Sequence, residues 1–163
     1  MKRINVFLLM TAFAVSAFAK VNFNGEWRFN ESKSKLDQMG AAFIQTKMVI
    51  TQGDNDLTIS NTMPSFDGSE MVTEQKLTLD GQECRSEIWN SQRVSKANWS
   101  ESGDALVITS AITFERDGQS SVINITEEWR LAEDGKALVI KHNSSSEWGE
   151  RNLTLVFDRA ESK

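Results

Sequence analysis

The sequence holds one cysteine, one proline, one histidine and no tyrosine in 163 residues. The single cysteine, Cys84, excludes an internal disulfide, so an exported form has to stand on its own core. The single histidine, His142, excludes a metal site built from several His or Cys in one chain. No spacing pairs it with a nucleophile, so neither a Ser-His-Asp nor a Cys-His arrangement can be argued. Neighbouring acids such as Glu127 and Glu128 point to opposite faces of a strand and form no dyad. There is no P-loop and no Gly-x-Gly-x-x-Gly run. These absences assign no catalytic residue, no cofactor and no metal, and the chain is read as a non-enzyme. Excess positive charge is also missing, with 18 Lys and Arg against 23 Asp and Glu. No phosphate-binding face is expected, and nucleic acid is not an expected partner.

Long apolar runs are confined to the start. Lys2-Arg3 precede an apolar stretch from Ile4 to Val15, and Ala17-Phe18-Ala19 supplies small residues at the two positions a signal peptidase reads. This is the pattern of a secretory signal peptide over residues 1–19. Residues 20–163 then form one domain, with the periplasm or the cell exterior as the expected setting. Removing Lys2 and Arg3 lowers the 18 basic residues by two to 16 against 23 acids, a formal charge of −7. Nothing after residue 19 approaches the 18 apolar residues of a membrane-spanning helix.

What is present is strand and turn. Ten segments read as strands: Phe23–Asn30, Phe43–Gln52, Asp56–Thr62, Ser69–Leu79, Cys84–Asn90, Arg93–Glu101, Ala105–Arg116, Ser120–Leu131, Ala137–Glu147 and Arg151–Arg159. Asp-Gly pairs at 67–68, 80–81, 117–118 and 134–135 mark tight hairpin turns. Pro64 is expected in the connection after the third strand. Alternation is clear in Leu106, Ile108, Ser110, Ile112 and Phe114, in Ile123, Ile125, Glu127, Trp129 and Leu131, and in Leu153, Leu155 and Phe157. Two Ala-Leu-Val-Ile runs, at Ala105 and Ala137, lie 32 residues apart and suggest a repeated hairpin. Between the first two strands, Glu31–Ala42 reads as a loop or plug over one end, with a helical turn capped by Ser32 or Ser34 and carrying Leu36 and Met39. The fold class is therefore all-β. An antiparallel up-and-down barrel of eight to ten strands is favoured over a sandwich, since closing the meander removes its edges.

The opening Phe23-Asn24-Gly25-Glu26-Trp27 resembles the first strand of the lipocalin and related calycin barrels, which carries Gly-x-Trp. The longer run Asn24–Ser34, with the later Leu-Val-Ile hairpins, is similar to a large group of small secreted bacterial proteins described as lipocalin-like. The resemblance implies that Trp27 closes the base of the barrel and that a basic residue of the last strand, here Arg159, packs across its ring. Gly25, Trp27 and Arg159 are thus expected to be structural. Antiparallel first and last strands would bring Arg159 beside Trp27, and a guanidinium over an indole is a good cation–π pair.

Polar groups on apolar faces are the candidate binding residues, because burial is costly for them unless they are paired. His142 shares parity with Leu138 and Ile140, Glu127 with Ile125 and Trp129, Arg151 with Leu153, and Gln75 with Leu77. Trp99 and Trp129 are candidate apolar contacts. Arg151 is the expected anion anchor, with His142 beside it. The leading expectation is a binding protein that holds a small apolar or amphipathic ligand, such as a fatty acid or lipid fragment, inside the barrel. The alternative is a protein-binding or protease-inhibitor barrel with a packed interior, making contact through Lys20–Phe23 or Glu31–Ala42.

Overall fold

The computed structural model describes residues 20–161 apart from 42–43, 66 and 117. The expected signal peptide over residues 1–19 and the expected start of the second strand at Phe43 lie outside the described residues. All ten expected strands are present: β1 (Gly25–Phe29), β2 (Lys47–Gln52), β3 (Asp56–Pro64), β4 (Glu70–Thr78), β5 (Cys84–Ile88), β6 (Ser91–Trp99), β7 (Leu106–Arg116), β8 (Gln119–Ala132), β9 (Ala137–Ser146) and β10 (Gly149–Arg159). They form one antiparallel sheet in the order β4-β3-β2-β1-β10-β9-β8-β7-β6-β5. The first and last strands pair, Trp27 opposite Arg159, so the meander curls into a barrel. Closure is not complete, because β4 and β5 remain the two ends of the hydrogen-bonded order. Side chains bridge that seam: Gln75 Nε2 donates to Ser95 Oγ at 2.9 Å, and Cys84 Sγ accepts from the Thr78 amide at 3.3 Å.

Three local features differ from the sequence expectation. Pro64 ends β3 opposite Glu70 instead of lying in the connection, where the last rung tolerates a missing donor. The turn after β1 is a single 3₁₀ turn at Glu31–Lys33, capped by Asn30, whose side chain accepts from the Lys33 amide. Ser34, one expected cap, instead donates to Asn30 O and accepts from Val156 N, pinning the segment to β10. The third feature is the connection between β5 and β6. It is the pair Trp89-Asn90, with φ of 51° and 57°. Both residues occupy the left-handed region of a type I′ hairpin turn without a glycine, which is why no turn signal stood there.

One end of the barrel is packed solid. Trp27, Phe23, Leu106, Leu138 and Phe157 are fully buried there. Trp27 Nε1 donates to Phe23 O at 2.9 Å. The Arg159 guanidinium lies 4.1 Å from the Trp27 ring centre, and it donates to Gly135 O at 2.8 Å and Asn24 O at 2.5 Å. Gly25 makes room for it: a Cβ there would meet Arg159 Nη1 at 2.7 Å, and its φ of +135° disfavours any other residue.

Candidate functional site

The opposite end is hollow. A cavity of about 760 Å³ opens between β7–β10 and the segment that crosses the mouth. Its apolar wall comes from alternate residues of β7, β8 and β10, namely Ile112, Phe114, Ile123, Ile125, Leu153 and Leu155, while β9 lines it with His142, Ser144 and Ser146. These are the inward residues of the period-2 pattern, so the sequence pattern that builds the strands also lines the cavity. The mouth segment contributes Asp37, Gln38, Met39, Ile44 and Gln45. Trp89 and Trp148, at the tips of the β5–β6 and β9–β10 hairpins, complete the rim. Trp148 is 69% exposed and Met39 54% exposed. The Trp89 ring stacks on Phe114 with centres 6.2 Å apart.

Two of the sequence candidates line this cavity, Arg151 and His142. Arg151 is already occupied: its Nε and Nη2 reach the two Asp37 oxygens at 2.5 and 2.9 Å. That fork holds the Asp37 carboxyl below the usual range, against the opposing effect of burial. Arg151 therefore latches the mouth segment to β10, and an incoming anion would have to displace Asp37. His142 Nδ1 lies 2.9 Å from Glu127 Oε1. The other carboxylate oxygen accepts from Trp129 Nε1 at 3.1 Å. Burial pushes the Glu127 carboxyl up, but the His142 and Trp129 bonds and the charge of Arg93 outweigh it and hold the group below its ordinary value. An ionised Glu127 accepts only, so Nδ1 is the donor of this bond, and Nε2 makes no hydrogen bond among the described residues. A carboxylate on one imidazole nitrogen is the orienting part of a hydrolytic arrangement. Among the described residues no Ser, Thr or Cys is hydrogen-bonded to that ring.

The remaining candidates lie deeper. Trp129 and Trp99 pack on Phe23 in the closed half, Trp99 stacked and Trp129 edge-on, each with ring centres 6.0 Å from it. Gln75 is buried at the waist, in a chain through Ser95 to Ser110, whose hydroxyls are 2.7 Å apart. Sequence reasoning passed over Arg93, which is 8% exposed on the inward face of β6. Its Nε donates to Ser86 Oγ at 3.1 Å, and burial lowers its pKa while Glu127 opposes that effect. The signal was available, since Arg93 shares the parity of Ala97 and Trp99. Asp37 was missed because no periodicity marks a loop. Among the described residues no group of three or more His, Cys, Asp or Glu is arranged to hold a metal ion. No helix of these residues is long and apolar enough to cross a membrane.

No family model matches the chain, and no curated protein matches it in sequence. Among solved structures it is similar to the zebrafish ileal bile acid-binding protein complexed with cholic acid. The TM-score is 0.55 at 15% identity, over 85% of this chain and 98% of that one. At that identity the likeness shows the fold alone, an antiparallel β-barrel.

Proposed function

We propose that this chain is an exported binding protein that holds one small apolar or amphipathic molecule, fatty-acid-like or lipid-like, in the hollow half of its barrel. The observation that carries the reading is the 760 Å³ cavity walled by inward Ile, Leu and Phe residues. A volume of that order suits a ligand of drug or lipid-fragment size, and apolar walls with a few placed polar groups are what such sites use. Support comes from the similar zebrafish barrel, which was solved with cholic acid. The export setting rests on the Lys2-Arg3, Ile4–Val15 and Ala17–Ala19 pattern. In this reading His142 and Glu127 form the polar floor and Arg151 with Asp37 the latch. Binding, not catalysis, is the activity.

The test is thermal unfolding of delipidated protein with added fatty acids and uncharged amphiphiles. A ligand at a hundred times its Kd adds about 2.7 kcal/mol, which raises Tm by roughly 5–10 °C in a domain of this size. No shift with any of them, or with a hydrophobic dye, contradicts the reading. The exposed Trp148 and Met39 beside the cavity mouth favour a second reading, contact with a protein partner through that rim. It predicts a complex whose formation is lost in Trp148→Ala.

A further inference from the structure

Four buried polar atoms have no hydrogen-bond partner among the described residues: Asn61 Oδ1, Thr73 Oγ1, Arg93 Nη2 and Trp99 Nε1. Trp99 belongs to the closed half, but the other three occupy one layer of the barrel wall. Asn61 and Thr73 are opposite each other on β3 and β4. The Gln75–Ser95 bond ties β4 to β6. These two strands run parallel, so stepping two residues towards the mouth on each brings Thr73 and Arg93 to the same level. Buried polar atoms are rarely left unpaired, and three at one level call for a shared partner. The inward residues next towards the mouth are Met63 and Met71, which pair with each other and join Ile112, Phe114 and Ile125, three residues of the cavity wall. Methionine side chains repack readily, so this covering is the kind a ligand can displace.

We propose that Asn61, Thr73 and Arg93 form a deep subsite that takes the hydroxyl end of an amphipathic ligand, which enters that end first past Met63 and Met71. The proposal rests on the cavity-binding reading above and specifies which chemistry it accepts. Arg93 Nη2 only donates, Asn61 Oδ1 only accepts, and Thr73 Oγ1 does either. The group that satisfies them must both accept and donate. A hydroxyl does so; a carboxylate cannot donate to Asn61. Glu127 lies near enough to act on the charge of Arg93, so an added carboxylate would also meet like charge there.

The experiment uses the full delipidated protein, Thr73→Val and Asn61→Leu, with calorimetric titration of 1-decanol, decanoate and the hydroxyl-free probe butylbenzene. Thermal unfolding shows that each variant is folded, and the two substitutions serve as independent tests. The expected result is that 1-decanol binds the unaltered protein about tenfold tighter than decanoate. It should lose about tenfold in each folded variant, the size of one hydrogen bond to a charged or buried group, while butylbenzene affinity stays the same. Unchanged 1-decanol binding in both variants overturns the subsite, leaves those atoms with bound water only, and leaves the cavity reading standing. Absence of binding by all three probes in the unaltered protein overturns the cavity reading and the subsite together.

Discussion

His142 Nδ1 and Glu127 Oε1 meet at 2.9 Å across paired positions of β8 and β9, at the depth where the packed half of the barrel gives way to the hollow half. Below them Trp129 ties the same carboxylate to the aromatic base. Above them His142 faces the cavity wall. The pair is thus both a structural rung and the floor of the site.

Glu127 gives the barrel an acid sensitivity with a definite sign. Its carboxyl is held below the ordinary range in the folded state. The stability it contributes is present above the unfolded value of about 4.3 and is lost as pH falls through the folded value. Glu127→Gln should destabilise by about 1–3 kcal/mol at pH 7, and the gap to the unaltered protein should narrow towards pH 3. Urea unfolding at the two pH values measures this; a gap that stays constant contradicts the pairing.

The base of the barrel makes a stability prediction. Trp27→Ala removes a fully buried indole and should cost about 3–5 kcal/mol. Gly25→Ala places a methyl against Arg159 at a strained φ and should cost about 1–3 kcal/mol. Denaturant unfolding that shows less than about 1 kcal/mol for Trp27→Ala would contradict the closing role of Trp27.

The mouth segment is tied by Arg151 and Asp37. Asp37→Asn should raise amide exchange at Met39, whose N–H now bonds the Asp37 carboxylate, by about fivefold, or ~1 kcal/mol of local opening. The Asp37 carboxyl is depressed in the folded state, so the latch is intact above the unfolded value of about 3.9 and released as pH falls through the folded one. Exchange at Met39 that is the same in both proteins at pH 7 would show that the segment is held by other contacts.

The strands were legible because burial on one face imposes a period of two, as in Leu106–Phe114 and Ile123–Leu131, and because Asp-Gly pairs punctuate it. The Trp89-Asn90 turn was not, since local propensity does not favour Trp at positive φ; the surrounding ladder enforces it. Among the site residues, parity singled out His142, Glu127 and Arg151 as inward polar groups. It could not say which end of the barrel is hollow. That depends on how far side chains from opposite walls reach, and so Trp99 and Trp129 sit in the filled half with Phe23. The Asp37–Arg151 fork joins residues 114 positions apart, a separation that no local pattern encodes.

The central claim is that the hollow half of the barrel holds one ligand. Ser144 lines the cavity between Ile125 and Arg151 on the inward face, and Ser144→Trp would set an indole across the middle of that space, away from the packed base. Native mass spectrometry with 1-decanol should show one molecule bound to the unaltered protein and none to folded Ser144→Trp. Equal occupancy of both proteins, or no bound molecule on either, would contradict the account.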